Sequence, residues 1–348
     1  MAARQRIGIG LSGGVDSAVA ALLLLESGHD VTGFTMHLVG DGAAGASAKG
    51  AAVAARLGIP HQVLDVRAAF DALVLQPFVD EYAAGLTPCP CARCNVTMKF
   101  GLLWERIAAA GCDRIATGHY ARLEERDGCM ALKRGVDVGK DQSYFLALLS
   151  QTQLQKAVFP LGGLLKAEVR AKALARGLVP ENEGESQDLC FLPDGRFAEF
   201  VAARRPELRV DGWIVDLEGR CLGRHRGAFQ YTVGQRRGLG LGGGPWFVVR
   251  TDLARREVVV GREEDVQSAT VNLTGVNWQT AAPPIGAELA VTAQLRYLMK
   301  ARPAVLRHLG SGRAQLDFPE PVFAVAPGQL AVAYHGDVVV AGGWIGRF

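Results

Sequence analysis

Apolar positions set the plan of the chain. Residues 7–11, Ile7 to Leu11, form a short apolar run that reads as a buried strand, and residues 18–25 continue as an apolar helix. Residues 31–36 read as a second strand, 46–57 as a helix stopped by Gly58, and 61–65 as a third strand. Helices are expected over 70–82 and over 100–110, the latter closed by Gly111, with a strand at 114–117. The stretch 153–178 reads as helical, its amphipathic part running from Lys166 to Arg176 before Gly177. Strands interleaved with helices imply a Rossmann-like parallel sheet with helices on both faces, and ligands at the carboxyl ends of its strands.

From about Val210 the period changes. Short β-rich runs at 212–215, 245–249 and 257–260 are separated by Gly-rich turns, and Gly238 to Pro245 reads as a mobile loop or hinge. Strands at 271–278, 289–296, 304–309, 313–318 and 329–334 then suggest a small barrel or sandwich. At 348 residues the chain is too long for one core. The pattern divides it into an α/β unit (1–205), a small β-rich unit (206–265) and a β-barrel-like unit (266–348).

The first strand runs into Ser12-Gly13-Gly14-Val15-Asp16-Ser17. Adjacent glycines let backbone N–H groups converge, and the following helix start adds unpaired donors and a positive dipole end. Such a unit binds phosphate oxygens. It is not a Walker A loop, because the Gly-Lys-Ser/Thr ending is missing and no lysine lies nearby along the chain. A Gly-rich cap in an ordinary α/β domain is the competing reading.

Composition narrows the setting. Apolar residues make up 49% and charged residues 21%, as in a folded chain. No apolar run reaches membrane-spanning length and no signal-like segment opens the chain, so a cytoplasmic protein is expected. Net charge is only +3. Between Arg220 and Arg256, however, eight arginines (220, 224, 226, 236, 237, 250, 255 and 256) stand out against Asp252. Such an excess tracks a phosphate backbone or forms a solvated basic face.

Seven cysteines, unevenly spread, argue against a disulfide framework. Cys89, Cys91 and Cys94 crowd together. Prolines around them are expected to forbid helix up to Cys91, with a helix starting near Arg93. Thiols at a helix start beside an arginine predict lowered pKa values. Cys91 and Cys94 alone offer too few ligands for a metal site. Cys190 follows a polar stretch, 181–187, read as a flexible loop from which it can reach the first cluster; a buried small hydrophobe is the other reading. Cys112, Cys129 and Cys221 read as structural.

The Ser12–Ser17 loop resembles that of the N-type ATP pyrophosphatases (the PP-loop superfamily). Further strings make the resemblance specific and carry it over almost the whole chain: Cys94-Asn95 with Lys99-Phe100-Gly101, Thr117-Gly118-His119-Tyr120, Lys140-Asp141-Gln142, Cys190-Phe191, Thr232 to Gly240, Arg296-Tyr297, and Gly328-Gln329. Together they resemble the tRNA-specific 2-thiouridylase family, which replaces the C2 oxygen of the anticodon wobble uridine by sulfur. The resemblance implies a C-terminal β-barrel that binds tRNA. It also implies ATP held by Gly10, Leu11, Ser12, Gly13, Gly14, Val15, Asp16 and Ser17, with Met36 and Gly118 against the adenosine and Mg²⁺ at Asp16. Cys190 then carries a persulfide, and Cys94 frees the sulfur and closes a disulfide. His119, Lys140, Asp141, Gln142, Arg296, Tyr297 and Gln329 match positions that touch tRNA. A sulfur donor, such as a cysteine desulfurase or sulfur-relay protein, and a monomeric state are further expectations.

Two departures stand out. Cys89-Pro90-Cys91 replaces the Asn-Pro-Asp of many relatives, removing a carboxylate expected beside the target base; segment 39–47 is short and rich in Gly and Ala. The first departure opens a second route, in which Cys91, Cys94 and Cys190 hold a [4Fe–4S] cluster whose free iron binds hydrosulfide. Alternatives of other classes are a different PP-loop ATP pyrophosphatase, amidotransferase-like or acting on another tRNA or nucleotide, and a non-catalytic iron–sulfur RNA-binding protein.

Overall fold

The computed structural model describes residues 4–40, 44–126, 128–178, 189–192 and 195–346; the polar stretch 181–187 lies outside them. A five-stranded parallel sheet organises the first part. Its strands are β1 (Arg6–Gly10), β2 (Asp30–His37), β3 (His61–Asp65), β4 (Arg114–Ala116) and, beyond a hairpin of β5 (Ala121–Arg126) and β6 (Cys129–Arg134), β7 (Ala157–Val158). They lie in the order β3-β2-β1-β4-β7, so the winding reverses between β1 and β4. A ligand crevice is expected at that reversal, beyond the carboxyl ends of these two strands. β1 is buried along Ile7, Gly8 and Ile9, and the helix α1 (Val15–Glu26) that follows it is apolar nearly all round because it packs inside. A second helix, α2 (Ala44–Leu57), lies against β2.

The expected single helix over 153–178 is two helices. Gln151–Lys156 ends in β7, and Lys166–Ala175 begins after a turn. Pro160 and the pair Gly162-Gly163 fall between them, and proline cannot continue a helix. The expected start near Arg93 is also corrected. The helix begins at Pro90, which occupies the first helical position, where a missing N–H costs nothing. From Pro90–Cys94 it continues with π geometry over Asn95–Leu103 and ends as Trp104–Ala109.

The middle unit is a four-stranded sheet of β8 (Gly212–Val215), β9 (Cys221–His225), β10 (Phe247–Asp252) and β11 (Glu257–Gly261), in the order β10-β11-β8-β9. The Gly-rich stretch expected to be a hinge is tied down. Arg262 donates to the carbonyls of Gly243 and Pro245 and lies over the Trp246 ring, whose Nε1 donates to the Gly242 carbonyl.

The last six strands close into an antiparallel barrel: β12 (Gln267–Trp278), β13 (Glu288–Gln294), β14 (Arg302–Gly310), β15 (Arg313–Phe323), β16 (Leu330–His335) and β17 (Val338–Ile345), with β12 paired to β17. Leu330, Val332, Tyr334 and Val339 share one core with Phe34, Ile115, Tyr144 and Leu154 of the α/β unit. Asn277 and Gln279 donate side-chain amide hydrogens to the Ala147 and Leu149 carbonyls. The barrel is therefore welded to the sheet rather than tethered to it. Among the described residues no helix is long and apolar enough to cross a membrane.

Candidate active site

The loop between β1 and α1 is shaped by short-range bonds. Ser17 Oγ donates to the Gly14 carbonyl at 3.1 Å and accepts from the Ser12 N–H at 3.2 Å, while Leu11 N–H bonds the Phe34 carbonyl across the sheet. Gly13 has φ +81°, and a Cβ there would sit 2.2 Å from Lys49 Cβ of α2. Only glycine satisfies both demands. Gly118, just past β4, lies against the same junction: a Cβ on it would stand 2.9 Å from the Asp16 carbonyl carbon and the Ser17 nitrogen. The two sides of the crevice thus meet through a residue with no side chain. Met36, near the end of β2, is half-buried on the neighbouring strand.

Asp16 is not left open. Lys166 Nζ lies 2.7 and 2.9 Å from its two carboxylate oxygens, and Tyr120 Oη donates to Oδ1 at 2.8 Å. The lysine that is missing along the chain is supplied in space, from the first residue of the helix Lys166–Ala175. Its backbone N–H is itself held by Asp137 Oδ2 at 2.9 Å. With an ammonium already on its oxygens, Asp16 as arranged does not fit the expected role of magnesium ligand. The helical break at 153–178 hides Lys166 from sequence reading; the one signal was its place at the start of an amphipathic helix.

The thiols gather around a second lysine. Cys91, Cys94 and Cys190 each feel the Lys99 ammonium, and Cys190 is felt by both Cys91 and Cys94. All are free thiols. The low pKa values expected for the thiols at the helix start are reversed. Burial pushes Cys94 up to about 12 against the pull of Lys99, and raises Cys91 and Cys190 as well. Arg93, expected to help, instead pairs with Glu81 and faces the Trp344 ring. Cys190 reaches solvent as a residue, but its neighbour Phe191 is anchored among Phe70, Phe78 and Phe200, with ring centroids 5.2 to 5.9 Å apart. Among the described residues no three His, Cys, Asp or Glu groups are gathered closely enough to hold a metal ion. The thiols as placed do not fit a cluster.

Lys99 links the two halves. Its Nζ lies 3.3 Å from His119 Nε2, and His119 Nδ1 lies 2.7 Å from Thr117 Oγ1. Burial and the Lys99 ammonium hold His119 well below the usual histidine range, so it is neutral. In this network Nε2 accepts from Lys99 and Nδ1 carries the proton. His119 is the residue after Gly118, so the phosphate-type loop and the thiols share one wall.

The residues expected at tRNA divide. His119 and Asp141 are buried. Asp141 accepts from Arg134, from Ser143 Oγ and from the N–H groups of Gly135 and Ser143. Gln142 Oε1 accepts from Tyr120 N–H at 3.1 Å, positioning the tyrosine that holds Asp16. Lys140 and Tyr297 lie by one another, and the Tyr297 ring packs tilted against Phe145 with centroids 4.5 Å apart. Arg296 is exposed. Gln329 Nε2 lies 3.3 Å from each of the Thr87 and Pro88 carbonyls, so the barrel grips the segment that leads into the cysteines.

Three family models match in succession: a tRNA methyl transferase HUP domain over 5–194, a tRNA methyl transferase PRC-barrel domain over 198–262 and an aminomethyltransferase beta-barrel domain over 268–345. Curated relatives named tRNA-specific 2-thiouridylase MnmA are similar over nearly full length. That of Syntrophotalea carbinolica is 44% identical over 98% of both chains, and that of Chloroflexus aurantiacus 45% over 97% of this chain and 98% of its own. The Acidithiobacillus ferrooxidans protein is 46% identical over 97% of each. Identity at this level along the entire length places the chain in the tRNA-specific 2-thiouridylase family.

Proposed function

We propose that this protein uses ATP to replace the C2 oxygen of the tRNA wobble uridine with sulfur, and that the Cys94–Cys190 pair delivers the sulfur. The observation that carries this reading is the shared wall: Gly118 abuts the phosphate-type loop while its neighbour His119 meets the lysine that faces three thiols. ATP fits the loop, with Met36 and Gly118 flanking the nucleoside and Lys166 within reach of phosphate oxygens. The uridine O2 attacks the α-phosphorus, pyrophosphate leaves and the N3 proton is lost. The outer sulfur of a persulfide on Cys190, supplied by a sulfur-donor protein, attacks C2, and AMP departs with the original oxygen. The Cys94 sulfur then attacks Sγ of Cys190. The inner S–S bond breaks, a Cys94–Cys190 disulfide forms, and the base keeps the sulfur and regains a proton. An external thiol must reduce that disulfide before the next turnover. Lys99 favours each sulfur anion along the way, and the unpaired anticodon base reaches the pocket without breaking a pair.

The test supplies unmodified tRNA, ATP and a persulfide donor. Cys190→Ala and Cys94→Ser are expected to release pyrophosphate yet form no 2-thiouridine. Thiolation that survives in Cys190→Ala overturns the sulfur assignment. Iron and labile sulfide in protein kept from oxygen decide the cluster route: stoichiometric iron that thiolation requires replaces the persulfide scheme.

A further inference from the structure

The eight arginines from Arg220 to Arg256 are not equivalent. Arg220 is engaged by Asp216 and Glu218, Arg250 and Arg255 both face Asp252, and Arg224 lies over the Trp213 ring. Arg226, Arg236, Arg237 and Arg256 have no carboxylate partner among the described residues, and all four are exposed. Of these, only Arg236 and Arg237 are adjacent in the chain.

The turn that carries them is braced on both sides. Gln235 Oε1 accepts from Thr232 N–H at 3.1 Å, and its Nε2 donates to the Arg237 carbonyl at 3.0 Å. Gly234 N–H bonds the Val248 carbonyl at 2.7 Å, and Val248 N–H bonds the Gln235 carbonyl at 3.0 Å, fastening the turn to β10. Gly234 has φ +82°, and a Cβ on it would lie 2.1 Å from Ala324 Cβ, so the turn is seated on the barrel. Two adjacent arginines, without carboxylate partners among the described residues, are therefore carried on a braced backbone turn where the middle unit meets the barrel. Little ordering entropy remains for the backbone to lose when an anion arrives. Guanidinium matches phosphate bidentately, and adjacent arginines can take successive phosphates of one strand.

We infer that Arg236 and Arg237 form a preorganised clamp on the RNA phosphate backbone, holding tRNA across the junction of the middle unit and the barrel. This rests on the tRNA reading above and adds two backbone-binding residues to it. Phosphate contacts position a nucleic acid without reading its sequence, so the clamp sets affinity and register and leaves base choice to the pocket.

The experiment measures binding of unmodified tRNA to the full-length protein across a salt series. Wild type is compared with R236A/R237A, with R236K/R237K and with R220A. Removing two phosphate contacts is expected to lower the slope of log affinity against log salt by about 1.4–1.8, and the Lys pair is expected to restore most of it. R220A, whose arginine is already paired, is expected to change the slope by less than about 0.5. In thiolation assays R236A/R237A should raise KM for tRNA at least about tenfold and leave kcat within about twofold. An unchanged slope in R236A/R237A overturns the clamp while leaving the tRNA reading intact, as does an equal loss in R220A. Wild-type protein that does not bind tRNA overturns both.

Discussion

Asp16 shows how a single carboxylate in a phosphate loop can be held ready by residues far along the chain. Lys166 and Tyr120 converge on it from elements more than a hundred positions away, and Asp137 caps the lysine's backbone. Side-chain exposure is 16% for Lys166 and 36% for Asp16, so the pair sits at the edge of the crevice. There it is screened enough to exchange partners when a phosphate arrives. Lys166→Ala should therefore lower tRNA-dependent pyrophosphate release at least about tenfold, equivalent to about 1.4 kcal/mol of transition-state stabilisation. Lys166→Arg should recover part of it. Pyrophosphate measured in single-turnover assays checks this, and unchanged release in the alanine variant contradicts the assignment.

The π stretch from Asn95 to Leu103 is the element that sets Lys99 against the thiols. An α-helix advances 100° per residue, so a residue five positions on lies about 140° round the axis. A π turn closes at five residues, which brings Lys99 back towards the face that carries Cys94. The wider turn is held by Gln153, whose Nε2 donates to the Val96 and Phe100 carbonyls, both at 3.0 Å. Gln153 also completes the capping box of its own helix with Ser150. Removing it takes one side-chain donor from each of these carbonyls and undoes the capping box. Gln153→Ala should cost about 1–3 kcal/mol in urea denaturation. A loss under about 0.5 kcal/mol would mean that the π turn holds itself.

At the scale of the molecule, the barrel core and the sheet core are continuous, and buried ionisable groups lie along the seam. Burial raises Tyr144 and Tyr334 well above the usual tyrosine range, and pushes Cys89 up to about 12. In the unfolded chain these groups lose their protons near pH 8.5 to 10. Above that range the folded state binds more protons than the unfolded one, so stability falls as pH rises. Their contribution is complete below about pH 8.5 and declines through the alkaline range. The melting temperature should therefore drop steadily between pH 8.5 and 10.5 in thermal scans. A flat profile would mean that the seam opens to water before unfolding.

Much was legible along the chain because it depends on neighbours in sequence. Gly13 and Gly14 dictate the loop, the apolar run into α1 dictates its helix, and the shift of period near Val210 announces the β-rich half. The breaks were harder. Amphipathic spacing resumes so soon after Phe159 and Pro160 that it predicts unbroken helix, and β7 is too short to leave a pattern. The site's electrostatics were not legible at all. Proximity to Arg93 suggested reactive thiols, yet Arg93 turns to Glu81, and desolvation by packed neighbours raises the thiols instead. The sequence by itself determined the family and the phosphate-type loop, because those follow from local sterics and residue identity. The tertiary structure alone decided that Lys166 neutralises Asp16, that Lys99 faces the thiols, and which arginines have no carboxylate partner among the described residues. Charge pairing and burial are set by atoms brought together across the fold, and no short stretch of chain contains them.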